Sequence, residues 1–351
     1  MKSPRSEPKP RVGLRDIASV AGVCTMTVSL ALRGSPKISV ATRDRIQSLA
    51  DQMGYRPDPE LSRLMLHLRS SRTLRGKVGL VIVDFYPAAD FVENPYNRRI
   101  REGALQRASE LGFSATALHA YDCGFNLKHL LKVVRHRGLD GALLLPSVAP
   151  TKLDPSVDWS DVSVVATSNS ILAPRFHSVV PHQFANMMRL IETMHARGQR
   201  RICAIFDEFF DERTAHNFTA AVNWHQHGQR TLVLPGRMHA AEKATLVAHW
   251  LEKHQPDMVF AQASDAVADA LPHLSRSRSR KPFEIVGLGS PPGACVSYLD
   301  ERPELVGSGA VDLLAGMIYF HETGIPKHPR TTMIDCEFHL ADTAAAPSSR
   351  A

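Results

Sequence analysis

No run of apolar residues in this 351-residue chain is long enough for a helix to span a bilayer. The opening residues MKSPRSEPKPRVG are basic and proline-rich but contain no apolar stretch, which argues against a secretory signal. Residues 1–11 are therefore expected to form a disordered tail. Only five cysteines occur, Cys24, Cys123, Cys203, Cys295 and Cys336, without CxxC or metal-ligand spacing. An odd, dispersed set predicts reduced, mostly buried thiols in a cytoplasmic protein and excludes a disulfide framework. HExxH, GxSxG, P-loop and dinucleotide-binding glycine motifs are all missing. The 17 histidines are scattered, and His225-Gln226-His227, near a helix end, reads as solvated. Gly287-Leu288-Gly289 is too short to be a nucleotide loop. With neither a nucleophile nor a metal constellation, the sequence predicts no enzyme, no cofactor and no metal.

What is present is a 44% hydrophobic chain, long enough for two or three domains. Its charge is unevenly placed. Fourteen of the 42 basic residues and six of the 35 acidic ones fall in positions 1–75, a net of +8, so the other 276 residues carry −1. Neutralising phosphates with Lys and Arg is the physical basis of sequence-independent DNA affinity. The basic segment is also helical in pattern. Leu14, Ile17, Ala18 and Ala21 fall on one face of a helix over Leu14–Ala21. Gly22 stands where a left-handed C′ residue is wanted. A second helix follows over Thr25–Leu32, with Val28, Ala31 and Leu32 facing inward and Thr25, Met26, Ser29 and Leu30 outward. Two short helices around a three-residue glycine-containing turn fit a helix-turn-helix, whose second helix enters the major groove. Ser39 reads as the N-cap of a third helix over Val40–Met53, which Gly54 stops. Asp58 and Pro59 then announce a further helix too short to be stable alone, and Arg69–Lys77 has linker composition.

The stretch from Val12 to Leu64 resembles the N-terminal end of the LacI/GalR family of bacterial transcription repressors. The resemblance is carried by LRDIASVAGV, Thr27-Val28-Ser29, ISVATRDRI and GYRPDP. It implies base-reading side chains at Thr25, Met26 and Leu30, and a hinge helix over Asp58–Leu66 that folds on the operator. It also implies a minor-groove wedge at Leu64, an apolar side chain that kinks the duplex. Leu61, Ser62 and Arg63 depart from the family's usual hinge, and Cys24 replaces the common Ser or Thr at the end of the turn, weakening a helix cap. Ser29, Ser39, Thr42 and Arg43 are candidate backbone contacts.

From Lys77 onward the pattern changes. Val78–Val83 is a continuous apolar run, as expected of a strand buried on both faces. Strand and helix patterns alternate from there through Leu288, with helices expected over Asn97–Leu111, Phe184–Arg197, Ala215–His227 and others. Such alternation predicts parallel sheets with right-handed crossovers, and its length predicts two of them. The expected fold class is an all-α helix-turn-helix head joined to an α/β core of two doubly wound subdomains, resembling periplasmic sugar-binding proteins. The expected domains are a head at 12–57, a hinge and linker at 58–76 and a core at 77–342. Lobe one would comprise 77–178 with 299–328, and lobe two 179–298 with 329–342. Residues 343–351 read as a disordered end without leucine heptads, which favours a dimer.

Two lobes imply a cleft and hence a small-molecule effector. The resemblance implies an Arg, matched by Arg213, and an Asn-Asp pair, matched by Ser264-Asp265. A carboxylate expected after a later strand is absent, because Ser290 stands there, and this puts a simple sugar in doubt. Other polar candidates are Ser147, His182, Asn217 and Glu301. The expectation is a cytoplasmic, nucleoid-associated regulator, most simply a repressor, binding a pseudo-palindromic double-stranded operator as a homodimer under effector control and without a membrane. A solute-binding protein is the competing reading.

Overall fold

The structure is a computed structural model that describes residues 12–32, 38–55, 78–86, 94–124, 126–225, 230–262, 264–274, 282–288 and 297–341. The chain divides into two compact units, residues 1–77 with 319–322, and residues 78–318 with 323–351. The expected hinge helix, with Leu64, and Ser290 lie outside the described residues.

Three helices form the described part of the first unit: α1 (Leu14–Ala21), α2 (Thr25–Leu32) and α3 (Val40–Gln52). Gly22 takes the left-handed conformation, φ 67° and ψ 32°, and its amide donates to the Ala18 carbonyl. The chain thereby turns through 104° between α1 and α2, within the range of a helix-turn-helix. Ile17, Val28, Ala31 and Ile46 are completely buried at the centre. Helix α3 also ties its neighbours: Arg45 Nη2 donates to the Ala21 carbonyl (3.2 Å) and Gln47 Nε2 to that of Ala31 (3.4 Å). Orphan carbonyls at helix C-termini are thus partly satisfied by side chains.

In the core, β1 (Gly79–Asp84) is buried throughout and lies inside the first sheet. It is followed by α4 (Pro95–Glu110), β2 (Ser114–His119), α5 (Leu127–His136), β3 (Leu139–Leu144), the short β4 (Thr151–Lys152), β5 (Ser163–Ala166), β6 (Ile171–Ala173) and β7 (His177–Pro181). Successive β1 side chains point to opposite faces. Val81 and Val83 pack with Leu130, Leu131 and Val134 of α5, while Leu80 and Ile82 pack with Ile100 and Ala104 of α4. The stretch that supplies most of the second sheet begins after β7 and runs through α6 (Gln183–Ala196), β8 (Ile202–Asp207), α7 (Glu208–Arg213), α8 (Asn217–His225), β9 (Thr231–Leu234), α9 (Ala240–His254), β10 (Met258–Ala261), α10 (Ser264–Ala270), β11 (Glu284–Leu288) and β12 (Ser297–Asp300). The chain then returns through α11 (Pro303–Phe320), β13 (Thr331–Ile334) and β14 (Glu337–His339). Helix α11 packs on the first sheet. It approaches α4 so closely that a Cβ on Gly103 would strike the Glu304 backbone, and one on Gly307 the Ile100 carbonyl.

The strand orders are β13-β7-β5-β3-β1-β2 and β14-β12-β11-β10-β8-β9, and β4 and β6 form a small third ladder. All pairs are parallel except β12 with β14. The expected lobe boundaries need correction. Strand β13 pairs with β7, Thr331 opposite Ser178 through Ile334 opposite Pro181, so it belongs to lobe one rather than lobe two. Likewise β7 and β12 each stay whole in one sheet, which moves the other crossings to His182 and to Glu301-Arg302. The expected helix Ala215–His227 begins two residues later, at Asn217, because Ala215 and His216 both have positive φ, 53° and 57°. The buried Asp211 carboxylate holds that turn, accepting from Thr219 Oγ1 (2.6 Å) and meeting His216 Nδ1 (2.8 Å).

Candidate nucleic-acid interface and core cleft

On α2 the apolar positions are spent inward on Val28 and Ala31, which leaves an outer face of short polar and apolar side chains. Thr25 is exposed, Met26 is 68% exposed, and Ser29 and Leu30 are half-buried. Cys24 is exposed, and its Sγ lies 3.1 Å from Thr27 Oγ1. Hydrogen bonds from the Thr27 hydroxyl and amide lower the thiol pKa. The cysteine thus takes part of a capping role at the helix start. Ser39 caps α3: its Oγ accepts from the Thr42 amide (3.3 Å) and pairs with Thr42 Oγ1 (2.8 Å). Arg43 is half-buried in the first turn of α3. The α3 start thus presents hydroxyls and backbone amides, groups suited to a phosphate.

The cleft lies where strand order reverses, between β1 and β3 in one sheet and between β8 and β10 in the other. Segments leaving parallel strands diverge at such points and open a crevice at their carboxyl ends. Tyr86 follows β1 and Val148 follows β3, while Asp207 ends β8 and Gln262 follows β10; all four line a cleft of about 490 Å³. Arg213, at the end of α7, crosses it, donating from Nη1 to Tyr86 Oη (2.6 Å) with its guanidinium 5.3 Å from the Phe210 ring centre. Asp207 caps α7 by accepting from the Phe209 amide (3.0 Å), and its other oxygen lies 3.4 Å from Lys243 Nζ. Gln262 Oε1 accepts from the Asp207 amide (3.0 Å). Asp265 and Asp269, one turn apart on α10, complete the acidic wall. The cleft therefore combines charged donors, carboxylate acceptors and aromatic faces.

Of the expected effector contacts, Arg213 and Asp265 line this cleft. Ser264 opens α10, but its side chain lies outside the described residues. The other described candidates do not line it. Ser147 is buried, its hydroxyl donating to the Ala149 carbonyl (2.7 Å) and its amide to Ser170 Oγ (2.9 Å), so it closes a turn. Asn217 Nδ2 donates to the Thr214 carbonyl (2.8 Å) at the start of α8. His182 supplies the backbone of a crossing, its amide donating to the Ile334 carbonyl (2.8 Å). Glu301 is 4% exposed at another crossing and accepts from Gln183 Nε2 (3.0 Å). Sequence reasoning missed Tyr86, Asp207, Lys243, Gln262 and Asp269. The first two and Gln262 follow or end strands, a position that could have flagged them; Lys243 and Asp269 carry no such signal.

Residues 13–58 match the family described as bacterial regulatory proteins, lacI family, and residues 76–286, more than half of the chain, match that of periplasmic binding proteins and sugar binding domain of LacI family. The maltose regulon regulatory protein MalI of Escherichia coli (strain K12) is 23% identical over 55% of this chain and 53% of its own length. The matched segment thus spans about half of that relative. The HTH-type transcriptional regulator PtxS of Pseudomonas plecoglossicida is 24% identical over 88% of this chain and 85% of its own. Among solved structures, a lac repressor dimer bound to operator and the anti-inducer ONPF aligns with a TM-score of 0.55 at 14% identity, covering 96% of this chain and all of that one. A transcriptional regulator CelR–cellobiose complex aligns with a TM-score of 0.52 at 20% identity, covering 94% and 99%.

Proposed function

The chain belongs to the LacI family of bacterial regulatory proteins, and from that membership we propose that it is a sequence-specific DNA-binding transcription regulator, a repressor that acts as a homodimer. The observation that carries this reading is the outer face of α2, with Thr25 and Met26 exposed on a helix held at 104° to α1. That face sits within the segment holding the chain's excess positive charge. Two such helices in successive major grooves would read a pseudo-palindromic operator. Thr25, Met26 and Leu30 offer one hydroxyl and apolar contacts to thymine methyls, with no guanidinium for guanine. Ser29, Ser39, Thr42 and Arg43 would meet phosphates, and Leu64 would wedge the central minor groove.

The effector is a small hydroxyl-bearing molecule held in the core cleft. Carboxylates of Asp207, Asp265 and Asp269 would accept from its hydroxyls, and Arg213 would donate to it in place of its bond to Tyr86. Such a ligand regulates only by binding one lobe arrangement better than another. The chemistry of the wall supports this reading, as do the sugar-binding description of the matched core and the cellobiose in one structural relative.

The test is selection of bound fragments from genomic DNA, followed by titration with salt. A steep, sequence-selective loss of affinity with rising salt is expected. Absence of selective binding to any fragment would overturn the proposal. Leu64→Ala should reduce operator affinity and DNA bending together.

A further inference from the structure

The three segments that pass between the lobes are stitched together by buried polar groups. The Cys336 amide of the third crossing donates to Asn186 Oδ1 on α6 (3.2 Å). Gln183, first residue of α6, donates from Nε2 to Glu301 Oε1 of the second crossing (3.0 Å). Both side chains of the latter pair are buried, 7% and 4% exposed, and among the described residues Gln183 Oε1 has no hydrogen-bond partner. Arg302, next in sequence, has φ 52° although it precedes Pro303. A non-glycine residue in that region stores strain.

We propose that Glu301 is a protonation switch in the interlobe hinge, its neutral carboxyl holding the present lobe arrangement and its carboxylate releasing it. With a proton, Glu301 is a neutral group beside Gln183 and its burial carries no charge penalty. Without one, a buried anion rests on a single amide donor, and desolvation favours any opening that admits water. The charged and titratable surroundings agree. Among the described residues no cation lies within ion-pair distance of Glu301. Burial raises its carboxyl to about 7, with Asp300 raising it further and Gln183 and Arg213 opposing. Arg99 pairs with Asp300 through two hydrogen bonds (3.1 and 2.9 Å). The Tyr96 phenol and the Cys336 thiol, both raised by burial, stay neutral. Arg213 is also the residue that bridges the cleft, so a ligand that drew it away would change the field at Glu301. This regulation rests on the reading that the lobes move relative to one another.

The test uses the full chain without effector or DNA. Spin labels are attached through a keto amino acid at exposed positions 152, in lobe one, and 253, in lobe two, and the interlobe distance is measured by double electron–electron resonance from pH 5 to 9. The wild type is expected to shift from a narrow to a broader, longer distribution with a midpoint near the value at which Glu301 titrates. Glu301→Gln, uncharged at every pH, is expected to keep the low-pH distribution throughout. An unchanged wild-type distribution across the series, or a shift that persists in the variant, would overturn the proposal. The wild-type series decides even if the variant folds poorly. Because no DNA is present, failure here leaves the operator reading untouched, and failure to find an operator leaves this result standing.

Discussion

On α2, Thr25 and Met26 reach the surface through a contiguous segment of three short helices, whereas in the core Arg213 meets Tyr86 only because residues 127 positions apart converge. Of the head's candidate contacts, Thr25 and Met26 stand exposed on a helix whose other face is buried. The cleft's candidate contacts are already occupied with one another, Arg213 with Tyr86 and Lys243 with Asp207. On the proposed function, recognition on the head would be addition to an open surface, whereas in the cleft it would be exchange, in which a ligand replaces bonds that exist without it.

The sharpest way to break this comparison is to unfold one side alone. Ile17→Ala removes a completely buried side chain from a small core, a change that costs ~2–5 kcal/mol. Operator binding and the head's helical signal should be lost while the core's calorimetric transition persists; loss of both transitions would show that the units are not independent. Next in size, Tyr86→Phe removes the bond across the cleft, worth ~1.5–3 kcal/mol for a hydrogen bond to a charged group. Its interlobe distance should broaden without loss of secondary structure. A distance distribution identical to wild type would make the bond incidental. Met26→Ala should change base preference at one or two positions per half-site by about 1 kcal/mol. A uniform loss over all sequences would instead identify a packing residue.

Two smaller effects sharpen the picture. Cys24→Ser restores a hydroxyl cap at the start of α2 and should raise the head's melting temperature slightly, by an amount below the ~1 kcal/mol of a full cap. No change in melting would show that the thiol already caps as well. In the core, burial raises the Asp257 carboxyl, but hydrogen bonds from the Arg201 side chain and from the Arg201 and Arg200 amides overcome it and hold it at about 2. A carboxyl depressed in the folded state contributes stability above its ordinary value of 3.8 and loses it as pH falls toward 2. Asp257→Asn should therefore flatten acid unfolding in that window and leave the neutral-pH slope unchanged. Glu301 has the opposite sign. Its contribution is full below about 4.5 and gone above about 7, so thermal stability should fall across that interval and Glu301→Gln should remove the fall.

Local physics carried the head. Apolar periodicity and Gly22 place α1, Ser39 places the start of α3, and α2 follows from the turn after Gly22, each within a residue of where it stands. In the core the central strands were legible for a related reason: a strand buried on both faces is a continuous apolar run, as Gly79–Asp84 is. Helix α11 was not, since PELVGSGAVDLLAGMIYF is apolar nearly all round and has no helical stripe to read. Strand β13 lacks even an apolar run; Thr331, Thr332 and Met333 are exposed at the sheet edge, and only pairing with β7 assigns them to lobe one.

The candidate sites divide along the same line. Which face of α2 is left outward follows from the spacing of Val28 and Ala31, an arrangement written within eight residues. Whether a polar residue of the core faces a ligand, closes a turn or staples a hinge depends on which distant segment lies opposite it. Ser147, Asn217 and Glu301 are indistinguishable as letters, yet burial and partners give the first two to local turns and the third to the crossing between lobes. Periodicity is a property of neighbours along the chain, whereas desolvation and hydrogen-bond partnership are properties of neighbours in space.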